Sequence, residues 1–225
     1  MWRSKPMHAS EPGAGSGTHY ELFAGLRDAG VAWLLTGATA LVLHGVPRLT
    51  ADVDLAVDPD PANLARLERR LASWGYGECA PAAGGDGATI RRFRHPLAAL
   101  SEIDVVLPPA GEFARLRAAA STVTLVDLDI PLVGAQDLRE RKAESGTDAG
   151  REDAASLLLL AALQSGGGTG DVDETRREQI RKFSRWSVAA RLDWLLAAAR
   201  LGKGMSPEAR PLTRGLVRRR WFPGR

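Results

Sequence analysis

A pair of aspartates one residue apart in an apolar strand constrains this chain more than anything else in it. The pair, Asp52 and Asp54, lies near the end of the run Trp33–Val57, WLLTGATALVLHGVPRLTADVDLAV. The run reads as an apolar strand over 31–36, a small-residue turn at Gly37-Ala38, a short helix over 39–44 closed by Gly45, and a second strand. Side chains alternate across a strand, so Val53, Leu55 and Val57 point into a core while Asp52 and Asp54 share the opposite face. Two carboxylates that close repel each other unless a cation sits between them or one is protonated. Oxygen-rich pairs of this kind suit Mg²⁺, which takes one or two carboxylates together with substrate phosphates.

A bare Asp-x-Asp also occurs at solvated strand ends, so its company decides. Gly37-Ala38 gives a turn where backbone N–H groups can approach a phosphate unobstructed by side chains. Further on, SEIDVVL (101–107) forms another short strand. Alternation there sets Glu102, Asp104 and Val106 on one face, with Ile103, Val105 and Leu107 on the other. Asp104 lies inside the apolar run, and a third carboxylate on a neighbouring strand completes a two-metal site for in-line phosphoryl chemistry. Glu102 reads as a polar edge residue.

Together these residues resemble the nucleotidyltransferase superfamily, whose fold is shared with polymerase beta. Its pattern is Gly followed by Gly or Ser, a spacer, acid-apolar-acid, and later a third acid between apolar residues. Here Gly37-Ala38 is followed by thirteen residues, 39 to 51, and then Asp52-Val53-Asp54. More narrowly, GATALVLHGVPRLTADVDL resembles small bacterial nucleotidyltransferases that include abortive-infection toxins of toxin–antitoxin pairs. The likeness covers residues 20 to 163. Ala38 stands where the family has its second Gly or Ser, so a hydroxyl contact to phosphate is missing while the backbone donors remain.

The resemblance implies an α+β nucleotidyltransferase fold, a small mixed β-sheet flanked by helices, with a helical C-terminal appendage. It implies transfer of a nucleoside monophosphate from an NTP to an acceptor hydroxyl, with Asp52, Asp54 and Asp104 as catalytic acids holding two Mg²⁺ ions. Gly37 and Ala38 would offer backbone N–H groups to the phosphates. In the resembling family a Lys in the helix at 134–144, then an Arg and an acid in the next helix, reach back to the site; the matching residues are Lys142, Arg151 and Asp153. Relatives carry a Lys beside that acid and a second acid three residues later, where this chain has Glu152 and Ser156. The acceptor implied is tRNA or another RNA, or a protein hydroxyl, and a toxin would have a cognate antitoxin protein as partner. The alternatives are an antibiotic-type enzyme acting on a small molecule, or an inactive nucleotide-binding or regulatory module.

Residues around the acids allow more than one role. Arg48 either reaches the nucleotide phosphates, counter-charges Asp52 and Asp54, or is a surface arginine in a loop set by Pro47. Thr50 closes its turn through its hydroxyl. His44 reads as a helix-end residue capping carbonyls, because hard Mg²⁺ prefers oxygen. Arg92 and Arg94 share a face of the strand 89–95, which either lies at the sheet edge or offers arginine to a substrate; the edge is the expectation carried forward.

At 225 residues, 44% hydrophobic and 25% charged, the chain can bury a core of ordinary size. The expected division is a disordered Gly/Pro/Ser-rich segment at 1–17, a catalytic domain at 18–164, a Gly-rich linker at 165–172 and a basic helical appendage at 173–225. Thr18-His-Tyr-Glu21 is a capping box opening a first helix. Helices are further expected over 61–74, 112–120, 134–144, 173–184 and 187–201, with a strand over 121–128 and Asp127 and Asp129 in turns. A single cysteine, Cys79, excludes an intrachain disulfide and fits a reducing compartment. No apolar stretch reaches a membrane span and no secretory signal opens the chain, so the expectation is a cytoplasmic protein with no membrane partner.

Residues 1–170 hold 16 Lys+Arg against 21 Asp+Glu, whereas residues 171–225 hold 14 against 6. A basic end beside an acidic core can steer nucleic acid. The Arg-, Ala- and Gly-rich composition also matches a GC-rich genome, which supplies arginine without functional demand.

Overall fold

The computed structural model describes residues 18–79, 82–83, 87–98, 100–167 and 173–203. The expectations for residues 1–17 and for the part of the appendage at 204–225 lie outside the described residues, as does most of the expected linker.

Helix α1, His19–Asp28, opens on the capping box: Thr18 accepts from the Glu21 backbone N–H while the Glu21 carboxylate takes the Thr18 N–H. Strand β1, Trp33–Thr36, passes straight into helix α2, Gly37–His44, which ends at left-handed Gly45. Strand β2, Asp52–Val57, follows. Helix α3, Pro61–Ser73, has Pro61 in its first turn and Asp60 accepting from the Asn63 N–H. Next come strands β3, Gly77–Glu78, β4, Ala82–Ala83, β5, Thr89–Arg94, and β6, Glu102–Leu107. Helix α4, Glu112–Ala118, leads to strands β7, Ser121–Leu125, and β8, Leu128–Leu132. Four helices end the described chain: α5, Ala135–Glu144, α6, Asp148–Ser165, α7, Glu174–Ser184, and α8, Val188–Lys203.

The strands form one mixed sheet in the order β3-β5-β6-β2-β1-β8-β7, with β4 also paired to β5. β2 lies antiparallel to β1 and parallel to β6, and β5 is antiparallel to β6. This is the expected α+β architecture. Alternation holds on β2, where Val53, Leu55 and Val57 are fully buried while Asp52 and Asp54 stay partly exposed. The core joins these residues to Ile103 and Val105 of β6, Leu22, Phe23 and Leu26 of α1, and Leu67 and Leu71 of α3. Burying such side chains contributes roughly 1.5–3 kcal/mol each before entropy is counted.

Two strand expectations are corrected. The segment 121–128 is no single strand: Val126 adopts φ 60 and is exposed, and the chain turns there into the β7–β8 hairpin. Asp127 does sit in the turn, accepting from the Tyr20 hydroxyl, but Asp129 lies within β8 and accepts from Thr124. β5 is not the sheet edge, because β3 and β4 both pair with it beyond β6.

The last two helices dock on α2. Phe183, Trp194, Leu195 and Ala198 bury against Val42, and Leu192 joins the main core. Arg191 is buried and donates to the Leu43 carbonyl at 2.6 Å and the Ser184 carbonyl at 2.6 Å, so one guanidinium caps the ends of α2 and α7. Gly45 permits the approach, since a β-carbon there would lie 3.0 Å from that of Ser184. Among the described residues no helix is long and apolar enough to cross a membrane.

Candidate active site

Parallel pairing of β2 with β6 sets Asp52 beside Glu102 and Asp54 beside Asp104. Four carboxylates thus occupy two adjacent rows on one face of the sheet. One oxygen each from Asp52, Glu102 and Asp104 lie within 4.8 Å of one another, close enough to share a cation. Asp54 borders this group: burial first, then the charges of Asp52 and Asp104, push its carboxyl up to about 7. Lys142 and a hydrogen bond from the Ala38 backbone N–H act the other way. Glu102 is therefore no edge residue. Its spacing to Asp104 repeats that of Asp52 to Asp54, and this was the signal available in the sequence.

The expected turn at Gly37-Ala38 is instead the first turn of α2, and its Gly37 is fitted to Asp54. Gly37 has φ 63, in the region that favours glycine, and a β-carbon there would fall on the Asp54 carboxylate. Asp52 is held by the hydroxyl of Thr50, which donates to its Oδ1, while Thr39 donates to its carbonyl at 3.2 Å. Thr50 thus orients an acid rather than merely closing a turn. His44 contacts the Val133 carbonyl at 2.9 Å, a capping role as expected but on β8's exit rather than its own helix.

The cations gather around one buried acid. Asp153 on α6, its side chain 4% exposed, pairs with Arg48 Nε at 3.0 Å and Lys142 Nζ at 3.1 Å. Arg48 is thus tied to α6, and the charge of Lys142, paired with Asp153, also favours the ionised form of Asp54. Arg151 is not brought to this group: it is mostly exposed and bonds Asp148 and the Gly146 carbonyl. Ser156 is buried, donates to the Glu152 carbonyl and accepts from Arg176 at 2.7 Å, linking α6 to α7.

A second set of cations comes from β5. Arg92 lies across from Asp104 and Arg94 across from Glu102 in the antiparallel register. The Arg92 guanidinium forks onto Asp104, Nε to Oδ1 and Nη2 to Oδ2, both at 2.8 Å, and also meets Glu102 at 3.1 Å. Arg94 takes the other Glu102 oxygen at 2.8 Å. Each row across the three strands therefore runs arginine, acid, acid.

The donor set is all carboxylate oxygen, crowded enough to raise Asp54, and such a set fits a hard divalent cation.

Residues 22–123 match the family described as Nucleotidyl transferase AbiEii toxin, Type IV TA system. The matched segment, a little under half of the chain, holds Gly37, Arg48 and all four acids, whereas Lys142 and Asp153 lie beyond it. No curated protein matches the chain. Among solved structures, a lincosamide antibiotic adenylyltransferase, LnuA, with lincomycin bound is 15% identical, with a TM-score of 0.46 over 65% of this chain and 98% of that one. An antigenic nucleotidyltransferase-like protein from Paracoccidioides brasiliensis is 16% identical, with a TM-score of 0.43 over 86% of this chain and 88% of that one. Likenesses this loose add nothing to what the sheet itself displays. The resemblance read from the residues, to the nucleotidyltransferase superfamily and within it to small bacterial members of the abortive-infection toxin type, holds, and with it the expectation of a transferase enzyme.

Proposed function

We propose that this protein moves a nucleoside monophosphate from an NTP to an acceptor hydroxyl on RNA or protein, as the toxin of a pair with a cognate antitoxin protein. The observation that carries the chemistry is the convergence of Asp52, Asp54, Glu102 and Asp104 beside the Gly37 turn. Asp52, Asp54 and Asp104 are the residues that would hold two Mg²⁺ ions. Bound there, the ions would neutralise charge on the triphosphate during in-line attack.

The chain's own residues supply the rest. Thr50 fixes the Asp52 carboxylate and the Ala38 N–H fixes that of Asp54, so both acids are oriented before substrate arrives. The Asp104 carboxylate takes the proton of the acceptor hydroxyl. Lys142, with Arg48 behind Asp153, supplies positive charge for the triphosphate. Ser156, where relatives carry an acid, serves the α6–α7 contact, so its departure from the pattern has a structural use.

The test is transfer of label from each α-³²P NTP, with Mg²⁺, onto total RNA and onto protein. Label lost in the Asp52→Asn/Asp54→Asn double variant is the expected result. Label retained by that variant sinks the assignment. Label on neither acceptor class, but on an added aminoglycoside or lincosamide, supports the antibiotic-type alternative instead.

A further inference from the structure

We propose that Arg92 is a built-in counter-ion that a divalent cation displaces from Asp104, so that loading the acid group and releasing the Arg92 guanidinium are one event. The inference rests on the reading of the acids as a cation site. It concerns which of this chain's own charges occupies that site first.

The geometry supports displacement rather than coexistence. A guanidinium that forks onto a carboxylate uses both of its oxygens, and Asp104 is held this way by Nε and Nη2. A cation shared between Asp104 and Asp52 needs one of those oxygens. It also brings two positive charges against a third, within a group whose ligand atoms span less than 4.8 Å. Of the two partners, Arg92 is the one with room to leave. Its side chain is 38% exposed, that of Asp104 10%, and Asp104 sits inside β6 paired on both flanks.

Glu102 is provided for when Arg92 goes. Its second oxygen stays with Arg94, so release of Arg92 uncovers Asp104 while Glu102 keeps a partner. The arrangement offsets part of the repulsion among the metal-free acids without closing the site permanently. A purely structural bridge would differ in one respect: removing its arginine would leave cation affinity unchanged or lower it by disordering Asp104.

The experiment is a calorimetric Mn²⁺ titration of the full chain, comparing wild type with Arg92→Gln and Arg92→Lys. Displacement predicts roughly tenfold tighter binding for Arg92→Gln, within the range usual for coupled sites. Arg92→Lys falls between, because an ammonium keeps the charge but cannot grip both oxygens. Equal or weaker binding by both variants overturns the proposal while leaving the cation site standing. Absence of Mn²⁺ binding in wild type and both variants overturns the cation site itself, and the displacement with it.

A second measurement needs no variant. In ¹⁵N spectra of wild type the expected Arg92 Nε–H signal is one protected from exchange with water before metal is added, because Nε donates to Asp104. On Mg²⁺ saturation it moves to the position and fast exchange of a solvated guanidinium. A signal that keeps its position and protection at saturating Mg²⁺ overturns the proposal.

Discussion

Gly37 and Asp54 claim the same space: a β-carbon on Gly37 would fall on the Asp54 carboxylate. Gly37 also holds φ 63, which costs a substituted residue about 1 kcal/mol in backbone strain. Gly37→Ala is therefore expected to lower transfer by about a hundredfold through displacement of Asp54. Steady-state rates against NTP and Mg²⁺ check this. Wild-type rates in that variant would show that the turn does not set the acid.

Asp54 and His19 give the metal-free protein opposite pH slopes. Asp54 is pushed up to about 7, so between 3.8 and 7 the folded chain keeps a proton that the unfolded chain has released, and stability falls as pH rises through that window. His19 is pushed down to about 4 by burial, so the unfolded chain takes up the proton first and stability is lost as pH falls from 6.5 through 4. In EDTA, Asp54→Asn should gain ~5 °C on wild type between pH 4 and pH 8. His19→Phe should flatten the acid limb. Melting curves taken as differences from wild type separate the two, because the slopes oppose each other where the windows overlap.

Asp153 is the partner on which two cations depend. Asp153→Asn leaves Arg48 and Lys142 facing each other and should cost ~3 kcal/mol, read from the urea midpoint. Lys142→Met leaves Asp153 paired with Arg48 and should cost only ~1 kcal/mol. That second variant nonetheless removes the charge that holds Asp54 down, and its transfer rate should fall far more than its stability. Parallel losses in both variants would make the cluster structural only.

Arg191 ties α8 to the ends of α2 and α7. Arg191→Met leaves the Leu43 and Ser184 carbonyls without their donor and should cost ~3 kcal/mol. Local opening comes first, so trypsin should cut within α7 sooner than in wild type. Unchanged cleavage would mean that Phe183 and Trp194 hold the appendage unaided.

What the sequence revealed follows the range of the signal. The capping box at Thr18, the αL stop at Gly45 and the alternation of β2 are local, and each stands where its residues put it. The partners of the acids depend on register between strands that local pattern does not encode. Glu102 and Arg92 therefore looked like edge residues, although they face Asp52 and Asp104. Arg151 failed for a helical reason. It lies two residues from inward-facing Asp153, and with 3.6 residues per turn that is most of the way to the opposite face.

The parallel pairing of β2 and β6 also sets a schedule. Asp52 and Asp54 leave the ribosome early, but the strand that completes their rows is made only after α3 and the β5 arginines. Lys142 and Asp153 come later still. A chain whose synthesis stops before Glu102 carries only Asp52 and Asp54 of the four acids, with β1 beside them and β6 still missing. The four-carboxylate group therefore exists only once β6 has been made and paired with β2.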